Sequence, residues 1–311
     1  MRFFGCISAC LLLGASLVGL DTSQKKFLEL MGNSKYAMGR AWRIPQQEKR
    51  DLKTYAKLFS KEIKLLQGEK LNHIPHVAHV IWVGPKPFPD KSIKNMVSFQ
   101  RLHPDWTIYF WTDSPDRPLP IPQMKRRLMT DEYFAPVLDM LKISKNYGEQ
   151  SDLMRFVILK KEGGVYFDHD AFFLKPIDEL ADHYDLVAAF ERIQHHESIH
   201  TYLTPAIGVI LVRPNHPIFD ACIAMARSRW QAAADRYTDP KEAWRIVIYR
   251  TFDSFAYQCK QFHGKDGSKD IILPPAYFYA NMAFKKSFTK KLIKQGYAYA
   301  LHGRDLKWRE K

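Results

Sequence analysis

Asp168 and Asp170 flank His169 directly after the apolar run Val165-Tyr166-Phe167. That order sets two carboxylates at the carboxyl end of a buried strand, the edge at which open α/β sheets bind ligands. Two carboxylates bracketing one residue suit a hard divalent cation such as Mg²⁺ or Mn²⁺, with coordination positions left for diphosphate oxygens and water. Such a metal neutralises charge on a leaving diphosphate. Asp-x-Asp alone is a weak signal and also fits a solvated turn. Its setting says more. Asp152 and Arg155 lie one helical turn apart and share a face. Their segment feeds through Gly163-Gly164 straight into the strand that bears Asp168, so an acid, a cation and the paired carboxylates converge on one crevice.

The elements that position them can be read from periodicity. Ser151-Asp152 is expected to cap a helix that runs to about Lys161, with Leu153, Phe156 and Val157 on its apolar face. Gly163-Gly164 ends it and permits positive φ. Upstream, residues 76–83 form a short apolar strand closed by Gly84-Pro85. Ile93 to Leu102 reads as a helix, and Trp106 to Trp111 alternates as a second strand. Strand, helix and strand at this spacing imply a βαβ unit and a parallel sheet. Further strands are expected at 185–190 and 206–212, and helices at 217–234 and 240–252. Residues 46–67 repeat apolar side chains (Leu52, Tyr55, Ala56, Phe59, Ile63, Leu66) at helical steps, with Gly68 as the stop. Residues 21–45 read as irregular.

The chain has 311 residues, of which 46% are hydrophobic and 14% aromatic, which excludes a disordered or fibrous chain. Its 47 Lys and Arg against 33 Asp and Glu leave a net charge of +14, spread along the whole chain rather than gathered in runs. This excess favours an anionic partner such as a nucleoside diphosphate or an acidic membrane surface. No nucleic-acid-binding signature is present, and nucleic acid is not expected as a partner. Arg2 precedes an uncharged stretch from Phe3 to Leu20, which reads as a signal peptide or a signal anchor. No C-x-x-C pair exists, and Cys222 and Cys259 are either a disulfide or two buried thiols.

Taken together, Ser151-Asp152-x-x-Arg155 and Gly163-Gly164-Val165-Tyr166-Phe167-Asp168-His169-Asp170 resemble the DxD sugar-binding region of glycosyltransferase family 32, which contains initiating α-1,6-mannosyltransferases and is distantly similar to the glucosylating clostridial toxins. Ile74-Pro75-His76-Val77-Ala78-His79-Val80-Ile81-Trp82-Val83-Gly84 resembles the family's opening segment. His103-Pro104-Asp105-Trp106, Trp111-Thr112-Asp113 and the stretch from Gly208 to Pro217 also fit, so the resemblance covers roughly residues 74–220. It implies an α/β fold of GT-A type, Rossmann-like and nucleotide-sugar-binding, with one catalytic domain at 74–311, a helical extension at 21–73 and the targeting segment at 1–20. It also implies a metal-dependent, retaining hexosyl transfer from a nucleotide-sugar donor (UDP- or GDP-linked) to a glycan, glycolipid or protein acceptor. By position, Asp168 and Asp170 hold Mn²⁺ (or Mg²⁺) and the diphosphate. Trp82 lies against the nucleobase with the backbone of Ile81 and Val83 beside it, and Ser151 and Tyr166 line the nucleoside pocket. Asp152 and Arg155 grip the sugar hydroxyls and the ribose. The family often ends in a His-x-Trp segment over the diphosphate, and here His302 and Trp308 stand nearest to that part, at imperfect spacing.

Two other classes compete. His196-Glu197-Ser198-Ile199-His200 matches H-E-x-x-H, a zinc-protease motif when it lies on a helix. The stretch between the preceding strand and Pro205 is short for such a helix, and no third ligand follows in the metzincin pattern. A protein that binds a nucleotide sugar without transferring it is the other alternative, and the intact Asp152, Arg155, Asp168 and Asp170 argue against it. Export or membrane anchoring is expected, which means the Golgi in a eukaryote and secretion or delivery into a host in a bacterium.

Overall fold

A computed structural model describes residues 21–32, 44–194, 201–263, 265 and 267–303. The targeting segment at 1–20, the H-E-x-x-H residues 196–200 and Trp308 lie outside these. Among the described residues no helix is long and apolar enough to cross a membrane.

Among the described residues nine strands build the frame: β1 Val77–Ile81, β2 Thr107–Thr112, β3 Lys125–Leu128, β4 Gly164–Phe167, β5 Ala171–Phe173, β6 Leu186–Ala189, β7 Val209–Val212, β8 Asp270–Leu273 and β9 Ala300–His302. Seven of them form one sheet in the order β3-β2-β1-β4-β7-β6-β8, and β5 and β9 form a separate two-stranded ribbon. β1 pairs in parallel with β2 and β4, β2 with β3, and β6 with β8. β7 pairs antiparallel with both β4 and β6 and is therefore the one reversed strand of the main sheet. The chain crosses from β1 to β2 on one side and returns to β4 on the other, so the crevice between the ends of β1 and β4 is the switch point at which such sheets bind ligands.

The central strands are buried on both faces, which their unbroken apolar runs require. Behind them lies the Tyr147–Glu162 helix, buried continuously from Leu153 to Leu159. It starts earlier than the sequence reading placed it. Asn146 is its cap, accepting from the backbone N–H groups of Gly148 and Glu149, and Ser151 and Asp152 lie inside the helix. The helix ends at Gly163 with φ +65°, and Gly164 follows at φ +82°. A Cβ at Gly164 would strike the Val77 carbonyl, so glycine is what lets β4 lie against β1 immediately after the helix.

Residues 21–45 hold more structure than expected. Thr22–Leu30 is a helix capped by Asp21, whose side chain accepts from Gln24 N at 2.7 Å and from Ser60 Oγ at 2.8 Å. It packs on the Gln46–Glu62 helix, with the Phe27 and Phe59 rings 5.2 Å apart, and both helices reach Phe190 at the end of β6. Burying each such ring stabilises the fold by roughly 2–3 kcal/mol. The expected helix at 217–234 is two, Ile218–Ser228 and Trp230–Arg236. The expected helix at 240–252 is a short 3₁₀ turn, the Ala243–Val247 helix and a π-helix at Ile248–Phe252, continued by the Asp253–Phe262 helix. Cys222 and Cys259 are both buried free thiols.

His79 sits at the centre of β1, fully buried. Its Nε2 lies 3.0 Å from the Gly163 carbonyl and its Nδ1 accepts from Trp111 Nε1 at 3.1 Å, a pairing that suits the neutral ring. Burial is the main cause that pushes its pKa down to about 3. The unfolded chain therefore takes up a proton near pH 6.5 that the fold refuses, so stability falls as pH drops from there by up to about 1.4 kcal/mol per unit. His79→Leu is expected to cost about 2–3 kcal/mol at pH 8, because it orphans the Gly163 carbonyl and the Trp111 N–H. It should also flatten the acid slope. Urea unfolding of both proteins between pH 4.5 and 8 checks this, and equal slopes would refute it.

Candidate functional site

The three-residue loop Asp168-His169-Asp170 leaves β4 and turns directly into β5. Because β7 runs backwards, its first residue Val209 stands opposite Phe167. That brings Gly208 beside the loop, and Asp168 N donates to the Gly208 carbonyl at 2.9 Å. β9 pairs with β5 so that Ala171 faces His302. His302 thereby arrives beside both carboxylates from far along the chain. Its Nε2 lies 3.0 Å from Asp168 Oδ2 and 3.4 Å from Asp170 Oδ1.

Behind this group lies Arg155, almost wholly buried. Its Nη1 donates to the Ile207 carbonyl at 2.6 Å. Its Nη2 reaches Tyr166 Oη at 2.8 Å, Asp152 Oδ1 at 3.0 Å and Asp168 Oδ1 at 3.1 Å. Tyr166 donates to the same Asp168 Oδ1 at 2.7 Å. The sequence reading gave Arg155 to the donor, but both its terminal nitrogens are engaged by the protein. It acts as the hub that binds the carboxylates to one another.

The two acids nearest that hub titrate in opposite directions. Burial opposes the charge on Asp168, but Arg155, His302 and the Tyr166 hydroxyl outweigh it and hold its carboxyl well below the usual range. Burial dominates at Asp152 and lifts it to about 6, against the pull of Arg155 and the Thr251 hydroxyl. His302 loses to burial but gains more from Asp168 and Asp170, which raise it to about 9.

A cleft of about 590 Å³ opens over these residues. Ile81, Trp82 and Val83 line it at the end of β1, Ser151, Asp152 and Arg155 on the helix, and Tyr166, Asp168, Asp170 and His302 at the switch point. Among the described residues, Ile81, Trp82, Val83, Ser151, Asp152, Arg155, Tyr166, Asp168, Asp170 and His302 therefore share one cleft. Trp82 is fixed in place: its Nε1 donates to the Lys86 carbonyl at 2.8 Å, and its ring meets Phe88 and His169 edge-on at 5.4 and 5.0 Å. His169 is in turn held by Ser92 Oγ and by Asn95 Nδ2, each at 2.8 Å, from the Asp90–Leu102 helix.

Asp168, Asp170 and His302 each offer a ligand atom within 4.8 Å of the other two. Two carboxylates and an imidazole are hard-to-borderline donors, a set that fits a divalent ion. The backbone is shaped around them. A Cβ at Gly208 would collide with His302 Nε2 and lie 2.8 Å from Asp168 Oδ2, and one at Gly303 would lie 2.8 Å from Asp170.

Several contributors gave no sequence signal. Tyr279 is buried under the site, its Oη accepts from Val209 N at 3.0 Å, and its ring packs 5.3 Å from His302. Thr251 bonds Asp152 from the π-helix. Glu191, Arg192 and Gln194 line the outer cleft.

Residues 89–187 match the family described as the glycosyltransferase sugar-binding region containing the DXD motif. Fold and site together define a mixed, mostly parallel α/β sheet that carries a glycosyltransferase DXD region at its ligand-binding edge. The matched segment contains the Asp168-His169-Asp170 loop and the Asp152–Arg155 pair. Among curated relatives, a glycosyltransferase of Acanthamoeba polyphaga mimivirus is 29% identical over 148 residues, which is 47% of this chain and 53% of that one. Inositol phosphoceramide mannosyltransferase 1 of Schizosaccharomyces pombe is 32% identical over 117 residues, which is 36% and 32% of the two chains. The chain thus spans about half or less of the length of these relatives. The solved PaToxG glycosyltransferase is 19% identical, with 67% of this chain and 76% of that one covered at a TM-score of 0.43.

Arg155→Met removes the one cation that Asp152 and Asp168 share inside the protein. Leaving those carboxylates uncompensated is expected to cost about 3 kcal/mol at pH 7.5. The loss should shrink below pH 5.5, as Asp152 takes up its proton. Denaturant unfolding at the two pH values measures it, and a loss that does not change with pH would refute the account.

Proposed function

We propose that the protein is a glycosyltransferase that moves a hexose from a nucleoside-diphosphate sugar to an acceptor hydroxyl on a glycan, lipid or protein, with retention at the anomeric carbon. The observation that carries this reading is the meeting of Asp168, Asp170 and His302 beside the Asp152–Arg155 pair in a single cleft. The DXD family match supports the reaction class. Retention rests on the family-32 resemblance. A lipid acceptor is in keeping with the name of the inositol phosphoceramide mannosyltransferase relative and with the net charge of +14, which also favours association with an acidic membrane.

In this reading Trp82 offers its ring to the nucleobase, with the Ile81 and Val83 backbone along the base edge. Ser151 and Tyr166 close the nucleoside side. Asp168, Asp170 and His302 would hold a divalent ion, Mn²⁺ or Mg²⁺, which neutralises the diphosphate as it departs. Asp152 accepts hydrogen bonds from donor-sugar hydroxyls and fixes the ring for attack. The acceptor oxygen forms the new bond to the anomeric carbon. The old carbon–oxygen bond breaks toward the diphosphate, which takes the electron pair, and on the retaining path its oxygen also takes the acceptor's proton. Arg155 does not touch this chemistry directly. It keeps Asp168 ionised and Asp152 in register.

Nucleotide release from UDP- and GDP-sugars tests the proposal. One donor is expected to be turned over with Mn²⁺ and not with EDTA. Asp168→Ala and Asp170→Ala should each lose about 100-fold or more. Near-wild-type rates in both variants would overturn the metal assignment. Trp82→Ala should raise the donor KM more than it lowers kcat, and an unchanged KM would remove Trp82 from the nucleobase.

A further inference from the structure

Asp152 is held from two sides. Its Oδ1 pairs with Arg155 Nη2 at 3.0 Å within its own helix. Its Oδ2 accepts from Thr251 Oγ1 at 2.6 Å, from a residue 99 positions further along the chain. Thr251 is fully buried and lies in the π-helix Ile248–Phe252. The preceding residue, Arg250, reaches the same Tyr147–Glu162 helix, where its Nη1 lies 3.3 Å from Glu149 Oε1. Arg250 is itself fixed, with its guanidinium 4.0 Å over the Trp230 ring and its Nε donating to the Trp230 carbonyl at 3.0 Å. Glu149 and Asp152 are one helical turn apart, so the π-helix is clamped to the catalytic helix at two points. Single π turns are energetically poor and are concentrated at functional sites. Val247, Ile248 and Phe252, around Thr251, line the cleft.

We propose that Thr251 is the positioning residue that sets the Asp152 carboxylate for the donor sugar, and that the π-helix carrying it forms the sugar-side wall of the cleft. This rests on the glycosyltransferase reading. The chemistry is specific. The threonine hydroxyl has one proton and two acceptors in reach, Asp152 Oδ2 at 2.6 Å and the Val247 carbonyl at 2.9 Å. A bond to a carboxylate is the stronger of the two, so the proton points at Asp152. β-Branching restricts χ1 in a helix, and the Val247 carbonyl one turn back at 2.9 Å fits the rotamer that brings the hydroxyl to Asp152. With Oδ1 held by Arg155 and Oδ2 by Thr251, the carboxylate plane cannot rotate. Its remaining lone pairs serve the sugar hydroxyls at a fixed angle.

The test uses the full chain with Thr251→Val, which keeps the shape and removes the hydroxyl, and Thr251→Ser, which keeps the hydroxyl. Calorimetry in Mn²⁺ compares the nucleotide sugar that the wild type binds best, from a UDP- and GDP-sugar panel, with the matching free nucleoside diphosphate. Thr251→Val is expected to weaken the nucleotide sugar about 10-fold, as loss of one hydrogen bond to a charged group does. Affinity for the free diphosphate should not change, which also shows that the cleft is intact. Thr251→Ser should recover most of the loss. The inference is overturned if Thr251→Val binds the nucleotide sugar as the wild type does, or if it weakens sugar and free diphosphate equally. A wild type that binds no nucleotide sugar of the panel overturns the glycosyltransferase reading itself, and this inference with it.

Discussion

The buried guanidinium of Arg155 is the interaction on which the cleft depends. It joins three parts of the chain: the Tyr147–Glu162 helix through Asp152, β4 through Tyr166 and Asp168, and the segment before β7 through the Ile207 carbonyl. A cation taken out of water is costly unless its neighbours replace the lost hydration, and here two carboxylates, a phenol and a carbonyl do so. The same cation divides the acids. Asp168 faces Arg155, His302 and the Tyr166 hydroxyl at once and stays ionised, whereas burial governs Asp152. Two carboxylates whose surroundings push them apart are suited to different work. One suits a metal and the other a neutral hydroxyl partner.

The second constraint is topological. His302 is 134 residues from Asp168, yet no long loop delivers it. β5 begins immediately after Asp170, and its pairing with β9 fixes the register so that His302 falls opposite Ala171. The reversed β7 does the same for Gly208 on the other flank. Two antiparallel pairings therefore close a site that the parallel part of the sheet leaves open. Both bring a glycine, Gly208 and Gly303, to where a Cβ would strike the Asp168, Asp170 or His302 side chain.

What could be read from the sequence follows from how local each cause is. Asp152, Arg155, Asp168 and Asp170 were legible because one helix, one glycine pair and one strand connect them over nineteen consecutive residues. The start of that helix was misplaced because Glu149 is polar by type but buried, bonded to Ser144 and Arg250 across the fold. Periodicity cannot register a buried acid of that kind. The Thr22–Leu30 helix is short, and its apolar side chains, Phe27, Leu28 and Leu30, crowd its final turn, so its Asp21 cap was passed over. β3 carries the exposed residues Lys125, Arg126, Arg127 and Leu128 and shows no alternation at all. Thr251 and Tyr279 are ordinary core residues by sequence, and only packing aims them at the site.

The charge at the inner end of the cleft bears on its ligand. The chain is basic overall, but Asp152, Asp168 and Asp170 stand there beside Arg155 and the His302 imidazole. Arg155 is already matched inside the protein, so the surface that Asp168 and Asp170 present is acidic. A diphosphate does not approach two carboxylates unaided. In the proposed function, a divalent cation held by Asp168, Asp170 and His302 would turn that repulsion into binding. The excess of basic residues behind the net charge of +14 is spread along the chain rather than gathered at this loop.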